Sequence, residues 1–353
     1  MSSSISPFYR PGVFPALSNR LLSSASQSLR LAINQQIYIK AVYGNPLRVT
    51  GLPLTTTKGF TYLIAASWHP KRKRTAVNSI SGSGHAWWKE RMRIGKVDAG
   101  EDAFFYVGTN NGVALGVADG VDPANFSWAL MDNAASVAKD NAPDLSPFIA
   151  PSGYNDILDA KQILSGAFDN LIKRSSTACI LSLSKSSGIL NAATLGDSAY
   201  ILIRNGSLLY ESPSQQHFFN CPFQLTIVPE SYPNQKLYFK DKPSDAQQTS
   251  HQLQDGDVIL LATDGFFDNV FADEAVEMVN KELRDVMGHD GMVREMDLEK
   301  LRTHVRRLSR RLTDTARRFS IDSKRISPFS QSAKQNGESR IGGFAGALAI
   351  SIP

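Results

Sequence analysis

The chain has 353 residues, 42% of them hydrophobic, with a formal charge of +5 and only two cysteines. That length allows two domains or one large domain with extensions, and the apolar share supports a sizeable core. The positive balance comes from the leader: 11 Lys or Arg and no Asp or Glu occur up to Lys89, and beyond it 27 basic residues face 33 acidic ones, which argues against nucleic acid as the main partner.

Residues 1–35 are Ser-rich and acid-free, with Arg10, Arg20 and Arg30 spaced between apolar residues. An amphipathic helix around Leu17 to Ile33 fits, and the composition is that of a mitochondrial transit peptide; a disordered tail is the alternative. Residues 36–57 read as a polar linker. GFTYLIAASW (59–68) reads as a strand, KRKR (71–74) as a solvated loop and SISGSGHAWW (79–88) as a further loop. DAFFYVG (102–108) and GVALGVAD (112–119) are joined by a TNNG turn, which predicts a hairpin. Helices are expected over 123–140, on Phe126, Leu130 and Ala134, and over 154–174, on Ile157, Leu158, Leu164, Phe168, Leu171 and Ile172.

Strands follow at 177–185, 189–197 and 199–206, separated by Ser-Gly and Asn-Gly turns, and SLLYES begins the next. VILLATD (258–264) is another strand. A helix is expected from Asp273 to Met287 and a longer one over 297–320, where Leu298, Leu301, Val305, Leu308, Leu312, Thr315 and Phe319 keep a 3–4 spacing and the arginines read as a solvated face. GALAISIP (346–353) reads as the final strand. No apolar run reaches ~18 residues, so no membrane-spanning helix is expected. Cys179 and Cys221 both sit near apolar stretches and read as buried free thiols rather than a bridge. Hairpin connections dominate over βαβ alternation, which predicts antiparallel sheets covered by helices, an α+β fold.

Two Asp-Gly pairs close apolar runs: Asp119-Gly120 and Asp264-Gly265. Each puts a carboxylate at a strand tip, with a glycine that lets the backbone approach a ligand. Glu101, Asp102 and Asp197 also fall at strand ends. Alone, each is an ordinary turn former or helix cap. Together they form an all-oxygen donor set that suits Mg²⁺ or Mn²⁺ better than Zn²⁺, because no His/Cys ligand spacing is present. There is no GxSxG and no P-loop signature.

GEDAFF (100–105), GVADG (116–120), VDPANFSWALM (121–131), SSTACILSL (175–183), ATLGDSAYILIRNG (193–206), QQHFFNCPFQL (215–225), GDVILLATDGFFDNV (256–270) and SPFSQSAKQNG (327–337) stand in the order of one known family. Through them the chain resembles the metal-dependent serine/threonine protein phosphatases of type 2C, and most of all their mitochondrial branch. The resemblance implies one phosphatase domain over 58–353, built as a four-layer α/β/β/α sandwich with a dinuclear metal site at one end of two central antiparallel sheets. It implies hydrolysis of phosphoserine and phosphothreonine by a water activated between two Mg²⁺ or Mn²⁺ ions, with no protein nucleophile. By the same likeness Asp119 bridges both metals, the Gly120 carbonyl binds one, Glu101 and Asp264 bind the second, Asp102 holds a metal-bound water, and Asp197 supports a third metal or its waters. A phosphoprotein substrate, a monomeric state and a mitochondrial matrix location are implied with it. His217 reads as a structural or substrate-side residue rather than a catalytic acid.

Three departures accompany the likeness. Gly346 stands where the family's last metal-binding Asp is expected, and Ala347 where the next acid would be. The loop after Gly120 is short, running straight into Val121-Asp122-Pro123. The Arg expected before the GEDA turn is absent: position 97 is Val, which leaves Lys96, near Arg91 and Arg93, as the candidate to hold phosphate as a point charge. Two expectations therefore stand side by side: a working phosphatase with weakened metal affinity, and a pseudophosphatase that binds phosphoproteins without turnover.

Overall fold

The structure is a computed structural model, and it describes residues 36–40, 46–50, 59–69, 99–108, 111–120, 125–140, 157–169, 171, 174–228, 230–231, 238–286, 298–339, 342 and 347–352. The proposed transit segment, Lys96, the short loop at 121–123 and Gly346 lie outside the described residues. Within the segment read as a linker, β1 (Gln36–Lys40) and β2 (Pro46–Thr50) pair antiparallel.

Two five-stranded antiparallel sheets form the centre. The first has β4 (Asp102–Gly108) and β5 (Gly112–Asp119) as a hairpin, then β7 (Ala178–Ser184), β8 (Ile189–Leu195) and β14 (Gln247–Gln252), in the order β14-β8-β7-β5-β4. The second has the order β10-β9-β15-β16-β3, from β3 (Ala65–His69), β9 (Ala199–Arg204), β10 (Ser207–Glu211), β15 (Val258–Ala262) and β16 (Ala347–Ile352). Two short ribbons lie outside them: β6 (Arg174–Ser176) with β13 (Leu225–Ile227), and β11 (Gln216–Phe218) with β12 (Cys221–Pro222).

Side-chain alternation sorts each strand between two layers. In β5, Val113, Leu115 and Val117 point to the seam between the sheets, where they meet Cys179, Leu181 and Leu183 of β7 and Tyr200, Leu202, Ile259 and Leu261 of the second sheet. The small residues of β5, Ala114 and Ala118, face outward instead, against helices α1 (Asn125–Asp140) and α2 (Ala160–Asp169). On the far side, Ile201, Ile203, Val258 and Leu260 face α4 (Ala272–Leu283) and α5 (Leu298–Ser320). The architecture is thus the expected helix, sheet, sheet, helix sandwich.

Several elements differ from their sequence readings. The helix expected over 154–174 spans only Ala160–Asp169. The Asp159 carboxylate takes the N–H of Lys161 at 2.8 Å and caps the start, and the Leu171 N–H turns back to the Phe168 carbonyl at 3.0 Å. The strand read over 59–68 begins at Ala65, as β3; ahead of it, the Tyr62 hydroxyl donates to the Ser184 carbonyl at 2.6 Å. The helix expected to reach Met287 ends at Leu283. In α5 the inward stripe is Leu301, Val305, Leu308, Leu312 and Ala316, and Ser309 and Thr313 hydrogen-bond Ser67 of β3, whereas Thr315 and Phe319 are only half-buried.

Two arginines of that helix, Arg307 and Arg311, stay at the solvated surface and also reach a buried acid. Glu282 of α4, 5% exposed, receives Arg311 at 2.8 Å, His304 Nδ1 at 3.1 Å and Arg307 at 3.3 Å. A buried carboxylate needs such partners to offset its desolvation. Both cysteines are free, Cys179 buried and Cys221 half-buried, and no described helix is long and apolar enough to cross a membrane.

Leu181 is fully buried in the seam between the sheets. Leu181→Ala is expected to destabilise the fold by about 2–5 kcal/mol, read as a lower urea midpoint at unchanged slope.

Candidate metal centre at the strand tips

The register brings the acidic residues to one end of both sheets. Asp102, at the start of β4, lies directly opposite Asp119, the last residue of β5. The turn before it, Gly100-Glu101, carries a positive φ of 76° at Gly100, a conformation for which glycine is suited. Gly120 forms an isolated bridge to Ser176, and its N–H donates to the Glu101 carbonyl at 3.3 Å. A Cβ at Gly120 would lie 2.8 Å from Ser127 Oγ and 3.1 Å from the Glu101 carbonyl oxygen. Only glycine fits that gap without moving α1 or the acidic turn.

Thr177 fastens the tip of β5. Its N–H donates to the Asp119 carbonyl at 3.0 Å, and its Oγ1 accepts the Asp119 N–H at 3.0 Å. The same hydroxyl lies 2.7 Å from Ser198 Oγ, in the Gly196–Ser198 connection that carries the chain from β8 to β9. That connection passes from one sheet to the other. It places Asp197 beside Ala199, which pairs with Ala262, two residues before Asp264. Asp264 opens the short helix α3 (Asp264–Phe267). Ala262 also pairs with Ala349 of β16, so β16 begins at this same end.

The structure therefore collects Glu101, Asp102, Asp119, Gly120, Asp197 and Asp264 on neighbouring tips. Asp102 is buried at 3% exposure, and Glu101, Asp119, Asp197 and Asp264 are half-buried. The side chains do not close into a tight cluster: among the described residues no three His, Cys, Asp or Glu groups come close enough to share an ion. Carboxylates brought together repel unless a cation lies between them. The donor chemistry fits hard divalent ions. Gly120 leaves main chain exposed where a side chain would block it, and the Thr263 hydroxyl beside Asp264 is fully buried with no hydrogen-bond partner. Burial pushes the Cys179 thiol far up, and burial and then Asp241 push the Cys221 thiol up.

Sequence reasoning missed the uncharged residues that hold the tips, namely Ser127, Thr177 and Ser198. Of these only Ser198 adjoins an acidic residue in the sequence. The same reasoning missed Asp241. His217 is not at the strand tips as an acid: it is sandwiched between Phe223 and Phe239, with ring centroids at 4.2 and 3.7 Å, and its Nε2 lies 3.0 Å from Asp241 Oδ2.

No protein-family model matches the chain. Individual proteins do. A protein phosphatase PTC7 homologue of Homo sapiens is 34% identical over 258 residues, covering 69% of this chain and 75% of its own length. The Danio rerio homologue is 33% identical over 286 residues, with coverage of 77% and 86%. The homologue named fig in Drosophila virilis is 34% identical over 251 residues, with coverage of 69% and 74%. Among solved structures, the photosystem II phosphatase PBCP superposes with a TM-score of 0.56 at 25% identity, covering 83% of this chain and 98% of that one.

Gly196 has a φ of +97°, and a Cβ there would meet the Phe223 carbonyl oxygen at 2.5 Å. Gly196→Ala is expected to cost about 1–3 kcal/mol, measured by urea unfolding.

Proposed function

This chain belongs to the type 2C metal-dependent protein phosphatases, and from that membership we propose that its strand tips are the catalytic centre, acting on phosphoserine and phosphothreonine in mitochondrial proteins. The observation that carries this reading is the register, which sets Asp102 opposite Asp119 and brings Asp197 and Asp264 to the same end of the paired sheets. When bound, two Mg²⁺ or Mn²⁺ ions supply an activated water and neutralise the charge on the phosphoryl group. Asp119, the Gly120 carbonyl, Glu101 and Asp264 would hold them, with Asp102 and Asp197 supporting bound waters or a further ion. Thr177 grips Asp119 through both its N–H and its carbonyl, so the carboxylate is presented from a fixed main chain. Such positioning removes reorganisation from the reaction step. Lys96 would meet the phosphate as a point charge.

The mitochondrial assignment is supported by residues 1–35, which are Ser-rich and acid-free with Arg10, Arg20 and Arg30. The acid missing at Gly346 lowers the negative charge available to two divalent ions, so metal affinity should be weak. That same departure favours a second reading, a phosphoprotein-binding module without turnover.

Hydrolysis of a phosphothreonine peptide and of a small aryl phosphate at millimolar Mn²⁺ separates the two. The phosphatase reading expects turnover that Asp119→Ala abolishes; a folded protein without turnover, measured with the same preparations, supports the binding module. Gly346→Asp is expected to lower the Mn²⁺ concentration for half-maximal activity by about 10–100-fold. An unchanged metal dependence would remove Gly346 from the site.

A further inference from the structure

Helix α5 and the turn after it concentrate positive charge. From Leu298 to Arg325 stand ten Lys or Arg residues and three acids, Glu299, Asp314 and Asp322. The rest of the chain beyond Lys89 holds 17 basic and 30 acidic residues, so this is a basic strip on an acidic body. The inward stripe of the helix, Leu301, Val305, Leu308, Leu312 and Ala316, is buried against the second sheet and α4. The arginines fall outside that stripe in two lines. Arg302, Arg306, Arg310 and Arg317 follow spacings of 4, 4 and 7, and Arg307, Arg311 and Arg318 follow spacings of 4 and 7, which keeps each set along one side of a helix. From Arg302 to Arg318 the strip is roughly 24 Å long.

This charge does little for the fold. Arginines four apart repel one another and weaken a helix. Part of the charge is met: Arg302 pairs with Glu299, and Arg307 and Arg311 share Glu282. Asp314, the one acid in the middle of the strip, lies 2.7 Å from His69 Nε2. Among the described residues Arg310, Arg317 and Arg318 pair with no carboxylate. The strip ends in apolar residues. Ile321 and Ile326, in the turn after the helix, are 68% and 73% exposed, the highest values among the described large hydrophobic residues. Ile321 continues the first line, four residues past Arg317. The turn is held in place, because Arg325 stacks on Phe319 at 3.4 Å and pairs with Glu274 of α4.

We propose that this strip is a docking face for an anionic lipid surface, with Arg310, Arg317 and Arg318 on the headgroups and Ile321 and Ile326 entering the apolar layer beneath them. A bilayer interface offers both chemistries side by side. An acidic peptide would answer the arginines but leave the two isoleucines in water. Nucleic acid is matched less well, because the strip exposes no aromatic ring for a base to stack on: Phe319 is half-buried, with the guanidinium groups of Arg318 and Arg325 on it. The face belongs to the outer helical layer, so docking leaves the strand tips uncovered, and it holds whether or not those tips turn over phosphate.

The test is flotation of the full chain with vesicles of phosphatidylcholine and phosphatidylglycerol, beside vesicles of phosphatidylcholine alone. The native chain is expected to float with the anionic vesicles only and to be released as salt rises. Arg310→Gln/Arg317→Gln/Arg318→Gln should weaken binding by about 100-fold, roughly fivefold for each charge, and the matching triple Lys variant should keep it. Ile321→Ser/Ile326→Ser should weaken it by about 10-fold. Thermal melts by circular dichroism should show the native fold in every variant. The basic leader is the same in all of them, so anionic-vesicle binding that survives in the Gln variant belongs to the leader and overturns the proposal. A native chain that fails to float, or that floats equally with neutral vesicles, overturns it as well. Unchanged binding of the isoleucine variant overturns contact with the apolar layer. Tighter capture of the native chain by a short RNA or by polyglutamate than by anionic vesicles, lost in the Gln variant, assigns the face to an acidic macromolecule and overturns its lipid partner.

Discussion

The seam between the two sheets is the contact on which the rest of the molecule depends. Val113, Leu115 and Val117 of β5 and Cys179, Leu181 and Leu183 of β7 meet Tyr200, Leu202, Ile259 and Leu261 across it. Because side chains alternate along a strand, burying one set here obliges the other to face the helices. A slip of one residue in β5 would turn Val113, Leu115 and Val117 outward and carry Asp119 away from Asp102. The hydrophobic pattern therefore sets the register, and the register sets where the carboxylates end.

That arrangement concentrates like charge at one end of the sandwich, which disfavours the bare centre. The main chain bears much of the cost of holding it. Thr177 binds both backbone groups of Asp119 and reaches Ser198 in the crossover, and Ser127 donates to the Glu101 carbonyl from α1. These hydroxyls are neutral, so they fix the tips without cancelling the charge that a divalent ion would meet. The contrast with Glu282 is instructive. There a buried carboxylate is met by His304, Arg307 and Arg311, and its charge is spent on joining α4 to α5.

The residues around β11 and β12 show the same rigid support. Asp241 holds His217, which is stacked between Phe223 and Phe239. Both they and the tips depend on Gly196, whose positive φ lets the crossover turn and whose missing side chain admits the Phe223 carbonyl.

Much was legible in the sequence. The hairpin at 102–119, the paired helices, the long amphipathic helix and the final strand follow from local alternation, 3–4 spacing and turn residues, all carried within a few neighbouring positions. The acidic motifs were legible as strand-end residues, and the structure places Glu101, Asp102, Asp119, Asp197 and Asp264 at strand ends. Local patterns fail where distant groups compete. Asp159 capped α2 six residues later than the apolar spacing suggested, and Ser67 drew Ser309 and Thr313 rather than Thr315 into the buried stripe. The sequence by itself determined which residues carry charge, which strands are apolar and which family they belong to. Only the tertiary structure decided that five acidic positions spread from Glu101 to Asp264 share one end of two sheets, and that His217 stacks between Phe223 and Phe239. Such proximity arises from antiparallel register and crossover geometry between segments far apart in the chain, which no local pattern encodes.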